Sequence, residues 1–209
     1  MGEVFRLAGR GRRGILATLV LVDLHEFAGV PPAAPELESQ SKAVVMCRAA
    51  LAFARETGMP IAFLRRVPAL SSLLSTPAIP KWISGIEPRR NEMVFARETP
   101  SGYGSSQFAR MAQSTGELVL AGLFGESSCL STLVEAHHRR HPCTLLGDAS
   151  CSSANDSLSA AERHVDTLAR AALYGRVAAT EDWLVETGKG RSREGFAAPP
   201  DKFPHAAPL

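Results

Sequence analysis

No apolar run in this sequence is long enough to cross a membrane. The longest, Ile15 to Leu24, covers ten residues and already contains Asp23, whereas a helical span needs about 20. Cysteine is scarce: Cys47, Cys129, Cys143 and Cys151 form no C-x-x-C pair, which excludes a disulfide scaffold and reads as reduced thiols in a cytoplasmic protein. A dominant charge is also missing. Lys+Arg 23 against Asp+Glu 21 gives +2, and the excess sits in Arg6, Arg10, Arg12 and Arg13, so no basic body exists to bind nucleic acid. That basic arm runs straight into a strand-like segment with no separate apolar region or small-residue cleavage site, so it is not expected to act as a secretory signal. What remains is a chain of 209 residues, 45% hydrophobic, which suits one soluble globular domain with a full core and excludes disorder and collagen.

The apolar pattern predicts alternating strands and helices. Ile15 to Val22 is an unbroken run of aliphatic and β-branched residues, as in a strand buried on both faces of a parallel sheet. From Glu36, Val44, Cys47, Leu51 and Ala54 follow a helical period that Gly58 and Pro60 end. Ile61 to Val67, Met93 to Ala96, Glu117 to Leu123, Cys143 to Leu146 and Val177 to Thr180 read as further strands. Helices are predicted from Ser105/Ser106 to Thr115, from Glu126 to His141, and from the capping box Ser159-Ala-Ala-Glu162 to Tyr174. Pro68 to Pro88, rich in proline and serine, reads as a long loop over the domain. From Thr187 the Gly- and Pro-rich tail reads as an extended or disordered arm, with Phe196 and Phe203 as anchors for a partner subunit. The expected domains are a basic arm (1–14), an α/β body (15–186) and a C-terminal extension (187–209). The fold class is a three-layer α/β/α domain with a six-stranded, mainly parallel sheet, whose ligands bind beyond the carboxyl ends of the strands.

Three chemical features fall at predicted strand ends. Asp23 follows the first strand, where partial desolvation or a neighbouring cation can fit a carboxylate for base chemistry or leave it capping a turn. Arg97 ends Met93-Val-Phe-Ala-Arg97 on the same edge and is suited to hold Asp23 or a substrate carboxylate. Cys129 opens the helix after a Gly-flanked turn, where free N–H groups and the helix dipole favour a thiolate and can receive an oxyanion. Arg65 and Arg66 end the second strand and suit either an anionic substrate or solvent. His137, His138 and His141 read as a polar outer helix face rather than a metal site.

Five segments in order, V-D-L-H-E-F at 22–27, M-V-F-A-R at 93–97, A-G-L-F-G-E-S-S-C-L-S-T-L-V-E-A at 121–136, L-L-G-D-A-S at 145–150 and V-A-A-T-E-D-W-L at 177–184, resemble the isochorismatase-like hydrolase superfamily. The resemblance implies its three-layer fold and a homo-oligomer, dimer or tetramer. It implies a cofactor-independent hydrolase of a small C–N substrate, in which Cys129 is the nucleophile and Asp23 the base. It also implies a cis peptide near Phe124–Gly125 that orients the Gly125 and Cys129 N–H groups as an oxyanion site. His25, Phe27, Trp82 and Tyr103 are the candidate substrate-binding residues, with His25 standing where the family has Gln. No cofactor and no metal is expected, since Leu64-Arg-Arg-Val-Pro replaces the metal-holding stretch of nicotinamidases.

The sequence departs from the pattern at two points. The family's lysine position matches Arg97, and Lys42, Lys81, Lys189 and Lys202 are wrongly placed to substitute. Arg keeps the charge but cannot shuttle a proton. The turn also has one residue more between Gly122 and Cys129 than the common amidase spacing. That length is isochorismatase-like, and vinyl ether hydrolysis needs no thiol. A vinyl ether hydrolase and a non-catalytic binding protein are therefore the two alternatives.

Overall fold

The computed structural model describes residues 17–26, 34–67 and 80–194. Six strands, β1 (Thr18–Val22), β2 (Ile61–Arg66), β3 (Met93–Arg97), β4 (Leu118–Gly122), β5 (Cys143–Ser150) and β6 (Arg176–Ala178), form one parallel sheet in the order β3-β2-β1-β4-β5-β6. Helices α1 (Ala34–Glu56), α2 (Ser106–Ser114), α3 (Leu130–His138), α4 (Ala160–Ala171) and α5 (Thr180–Glu194) alternate with them. This is the expected α/β/α class, with the strand order reversing between β1 and β4.

Alternation explains the layers. In the all-buried run of β1, Leu19 and Leu21 join Phe63, Val119, Ala121 and Leu146 on one face. That face is covered by the α1 stripe Ala43, Val44, Cys47, Ala50, Leu51 and Ala54 and by Trp183 of α5. Val20 and Val22 join Ala62, Leu64, Leu118, Leu120 and Leu145 on the other face, under Phe108 and Ala112 of α2, Leu133 and Ala136 of α3 and Ala171 of α4. Each fully buried Leu or Phe removes enough apolar surface from water to contribute about 1.5–3 kcal/mol.

Several boundaries differ from the sequence expectation. α1 begins two residues earlier, at Ala34. β5 runs on to Ser150, because Ala149 and Ser150 are still buried against neighbours. The helix after β4 begins as a single π turn, Gly125–Cys129, and α3 ends at His138. The expected arm is helical over 187–194, continuing α5, whose first turn carries Glu181 and Asp182 against the helix dipole and whose Trp183 is buried. Phe27, Phe196, Phe203, the basic arm and residues 68–79 of the expected loop lie outside the described residues. Among the described residues, no helix is long and apolar enough to cross a membrane.

Gly122 closes β4 at φ 144°, and a Cβ there would meet the Val22 carbonyl oxygen at 2.1 Å. Gly122→Ala is expected to cost more than ~3 kcal/mol, because both backbone strain and a backbone clash must be relieved. Gly58→Ala, at φ 66° with open space around it, is expected to cost only ~1 kcal/mol. Urea midpoints of the two variants check the contrast.

Candidate active site

The strand order puts the carboxyl ends of β1 and β4 on either side of the reversal, where an open parallel sheet leaves a crevice. Asp23 is the first residue beyond β1. It is 5% exposed and adopts φ 52°, a left-handed conformation that Asp tolerates better than most residues. Its backbone N–H still donates to Leu64 of β2, so the turn lifts the side chain off the sheet edge without losing the ladder.

Three neighbours hold the carboxylate. Arg97 Nη2 donates to Oδ2 at 2.6 Å, Ser128 Oγ donates to the same oxygen at 2.7 Å, and the Arg66 backbone N–H donates to Oδ1 at 3.1 Å. Arg97 reaches Asp23 from β3 across β2, and its side chain has no exposed surface. Its Nη1 donates to the Thr99 carbonyl at 2.6 Å, while Nε has no partner among the described residues. This is a desolvated ion pair at the base of the crevice, tied to one oxygen that also takes a hydroxyl.

The turn after β4 sets which side chains face Asp23. Phe124 takes φ 56°, ψ 50°, and its carbonyl accepts the N–H groups of Ser127, Ser128 and Cys129. Gly125 N–H donates to the Cys151 carbonyl at 2.7 Å. No cis peptide occurs among the described residues, so the expected cis bond near Phe124–Gly125 is replaced by the left-handed turn at Phe124. The Gly125 and Cys129 N–H groups expected to form an oxyanion site are therefore both engaged, one by Cys151 and the other by Phe124.

Successive residues of a helical turn point in different directions around its axis, and this rotation separates Ser128 from Cys129. Asp23, His25, Glu26, Arg66, Pro80, Phe124, Ser127 and Ser128 line a cavity of about 250 Å³. Cys129 is absent from that wall. Its Sγ lies 3.9 Å from the Gly122 and Leu123 carbonyls and packs in the core with Val20, Val22 and Leu133. Burial, then the Asp23 charge, pushes its thiol well above the ordinary range. The expected meeting of Asp23, Arg97 and Cys129 is thus, in this geometry, a meeting of Asp23, Arg97 and Ser128. Sequence reasoning passed over Ser128, although the extra residue before Cys129 was its signal: the shorter amidase spacing from Gly122 ends on Ser128.

The other candidates divide. His25 lines the cavity, and its ring stacks on Trp82 at 4.4 Å between centroids. Trp82 is joined to His25 by an antiparallel bridge and is not among the residues that line the cavity. Tyr103 does not reach the cavity; it is buried beside Phe108, with its hydroxyl 2.7 Å from His141 Nδ1. His137, His138 and His141 line a groove of about 760 Å³ at the opposite, amino end of the sheet, with Glu117 and Cys143. Arg65 turns to Trp82, its guanidinium carbon 4.3 Å from the ring centroid, and Nε donates to His25 Nε2 at 3.2 Å.

A parallel α/β domain thus brings an acid, a cation and a hydroxyl together at its switch point. A family model for the isochorismatase domain matches residues 17–182, and the chain belongs to that family. Among solved structures it is similar to an isochorismatase from Pseudomonas putida (22% identity, covering 79% of this chain and 89% of that one, TM-score 0.67). A cysteine hydrolase from Pseudomonas syringae pv. phaseolicola is similar at 16% identity, covering 84% and 93%, with TM-score 0.72. The MAR1 ribonuclease of Caenorhabditis elegans shares 12% identity over 93% and 97%, with TM-score 0.64. At these identities the structures establish the shared fold. No curated protein sequence matches the chain significantly.

Two outcomes follow from this geometry. Arg97→Met should destabilise the fold by ~3–5 kcal/mol, because Asp23 is left buried without its cation, and adding Asp23→Asn should recover part of the loss. Urea unfolding of the single and double variants measures this. Burial and the Arg65 cation lower the His25 pKa from 6.5 to about 4. Between those values the unfolded chain binds more protons than the folded one, so His25 makes stability fall as pH drops through that window. His25→Gln should flatten that part of the profile, read as the urea midpoint at a series of pH values.

Proposed function

We propose that this protein is a cofactor-independent hydrolase of a small amide, ureide or carbamoyl compound, with Ser128 rather than Cys129 as its nucleophile. The observation that carries the reading is the 2.7 Å hydrogen bond from Ser128 Oγ to Asp23 Oδ2 on the cavity wall, with Cys129 turned into the core. As Oγ bonds to the substrate carbonyl carbon, Asp23 takes the hydroxyl proton. That proton passes to the leaving nitrogen as the C–N bond breaks, and an ester remains on Ser128. Water then attacks the ester carbon, giving one proton to Asp23, which returns it to Ser128 as the acid departs. Arg97 stays protonated throughout; it positions the carboxylate and balances its charge. A base placed in this way contributes about 10²–10⁴ in rate.

The engaged Gly125 and Cys129 N–H groups favour a second reading, vinyl ether hydrolysis, which requires no oxyanion site. In that reading the Asp23 carboxyl gives its proton to the terminal alkene carbon, water adds to the resulting oxocarbenium carbon and returns a proton to Asp23, and the hemiketal so formed breaks its C–O bond to release an alcohol and a carbonyl compound. The four cysteines are all free and buried, in keeping with a reducing cytoplasm. Val165 at 68% and Leu173 at 74% exposure leave apolar surface on and just after α4, in keeping with a homo-oligomer.

The variants separate these readings in a turnover screen of small amides, ureides and vinyl ethers. On the leading reading Ser128→Ala loses at least ~10³ in kcat, whereas Cys129→Ala, a packing change, stays within roughly threefold and costs ~1 kcal/mol. Ser128→Ala that keeps turnover near wild type removes the serine nucleophile and leaves the vinyl ether reading. A Cys129→Ala enzyme as dead as Asp23→Asn returns the role to the thiol.

A further inference from the structure

The Gly125 N–H is engaged by the Cys151 carbonyl and the Cys129 N–H by the Phe124 carbonyl, so a substrate oxygen in the cavity needs another donor. His25 has one of a defined kind. Its backbone N–H is fixed to the Asp23 carbonyl at 3.0 Å, and its ring is clamped between the Trp82 face and the Arg65 Nε. Arg65 can only donate, so the His25 Nε2 that accepts from it carries no hydrogen, and the neutral ring must hold its proton on Nδ1. Nδ1 has no partner among the described residues, while the ring lines the cavity. Arg65 is itself held by the Trp82 ring, which in turn packs edge-on against Phe63 in the core. The clamp therefore connects the tautomer of a cavity residue to the hydrophobic interior.

We propose that His25 is a specificity-determining residue that presents one fixed Nδ1–H donor to an acceptor oxygen of the substrate. It selects carbonyl or carboxylate compounds and disfavours ligands that offer only donors, such as alkylammonium ions. The ligand assignment rests on the hydrolase reading above, which places the substrate in this cavity; the tautomer does not depend on it. The groups facing His25 agree with a neutral donor. Burial and Arg65 oppose a second ring proton more than the Asp23 charge favours it, and Arg97 acts in the same sense as Arg65. Arg66, an exposed residue of the same wall, carries a second donor group for an anionic oxygen.

The test needs no known substrate. Two-bond ¹⁵N–¹H correlation spectra of the full chain with labelled histidine, at neutral pH, should show His25 with Nδ1 protonated and Nε2 bare, the signal being assigned by its loss in His25→Gln. Arg65→Met should release the ring to the Nε2–H form. Titration with oxamate, acetate or acetamide should shift the Nδ1–H resonance. His25→Leu should weaken oxamate binding on the order of tenfold, the loss of one hydrogen bond to a charged oxygen, while His25→Gln, which keeps a donor, should stay within about threefold of wild type. A protonated Nε2 in the wild type overturns the inference, as does an Nδ1–H signal that none of the three probes moves. Equal oxamate binding by His25→Leu and wild type overturns it too. The same titration on Ser128→Ala keeps the two proposals separate, because a failed nucleophile leaves the His25 spectra unchanged and a failed donor leaves the Ser128 turnover result unchanged.

Discussion

The ion pair between Asp23 and Arg97 is the constraint around which the crevice is organised. A carboxylate and a guanidinium removed from water cost several kcal/mol each unless their remaining valences are met. Here the sheet meets most of them. The parallel register brings Arg97 level with Arg66 on β2, so the guanidinium crosses one strand to reach Asp23 while the Arg66 N–H secures the second carboxylate oxygen. The third contact is the Ser128 hydroxyl, which carries the β4 turn to the same point. Three strands and one helix entrance are thus tied to a single carboxylate, and its left-handed backbone is sustained by those contacts.

The π turn decides which side chain meets that carboxylate. A regular α-helical start would align the turn's carbonyls and N–H groups differently, but Phe124 in the left-handed region concentrates three N–H groups on its own carbonyl. The result is a helix entrance with the Gly125, Ser127, Ser128 and Cys129 N–H groups already engaged and a hydroxyl, not a thiol, directed at Asp23. Single π turns of this sort recur at functional sites. A site built this way offers fewer ready-made backbone donors for an oxyanion, and that shortage gives the His25 ring its significance.

Behind the cavity wall, Trp82 and Arg65 hold His25 through aromatic stacking and a cation over a ring, interactions whose worth rises when they are shielded from water. Arg65 is thereby taken out of the pool of free cations that a substrate anion would meet, and Arg66 is left on the cavity side. Two adjacent arginines on one strand point to opposite faces, so the pair divides into one that shapes the wall and one that faces the ligand.

Much of the fold was legible in the chain because burial on both faces of a parallel strand imposes unbroken apolar runs, seen at Thr18–Val22 and Leu118–Gly122, and because a helix on such a sheet needs an apolar stripe, seen from Ala43 to Ala54. The strand ends carried Asp23 and Arg97 to one edge by period and order alone, and they do converge. The sequence by itself therefore determined the layer architecture, the sheet edge that holds the polar residues and the acid–cation couple there. Tertiary structure alone set the Ser128 hydroxyl rather than the Cys129 thiol against Asp23, since adjacent residues are separated only by the rotation of the turn, and Phe124 sets that rotation through a backbone conformation its side chain does not announce. Tertiary structure alone also removed Tyr103 from the cavity and set Trp82 behind His25, because both placements depend on contacts between segments distant in the chain, which no local pattern of residues encodes.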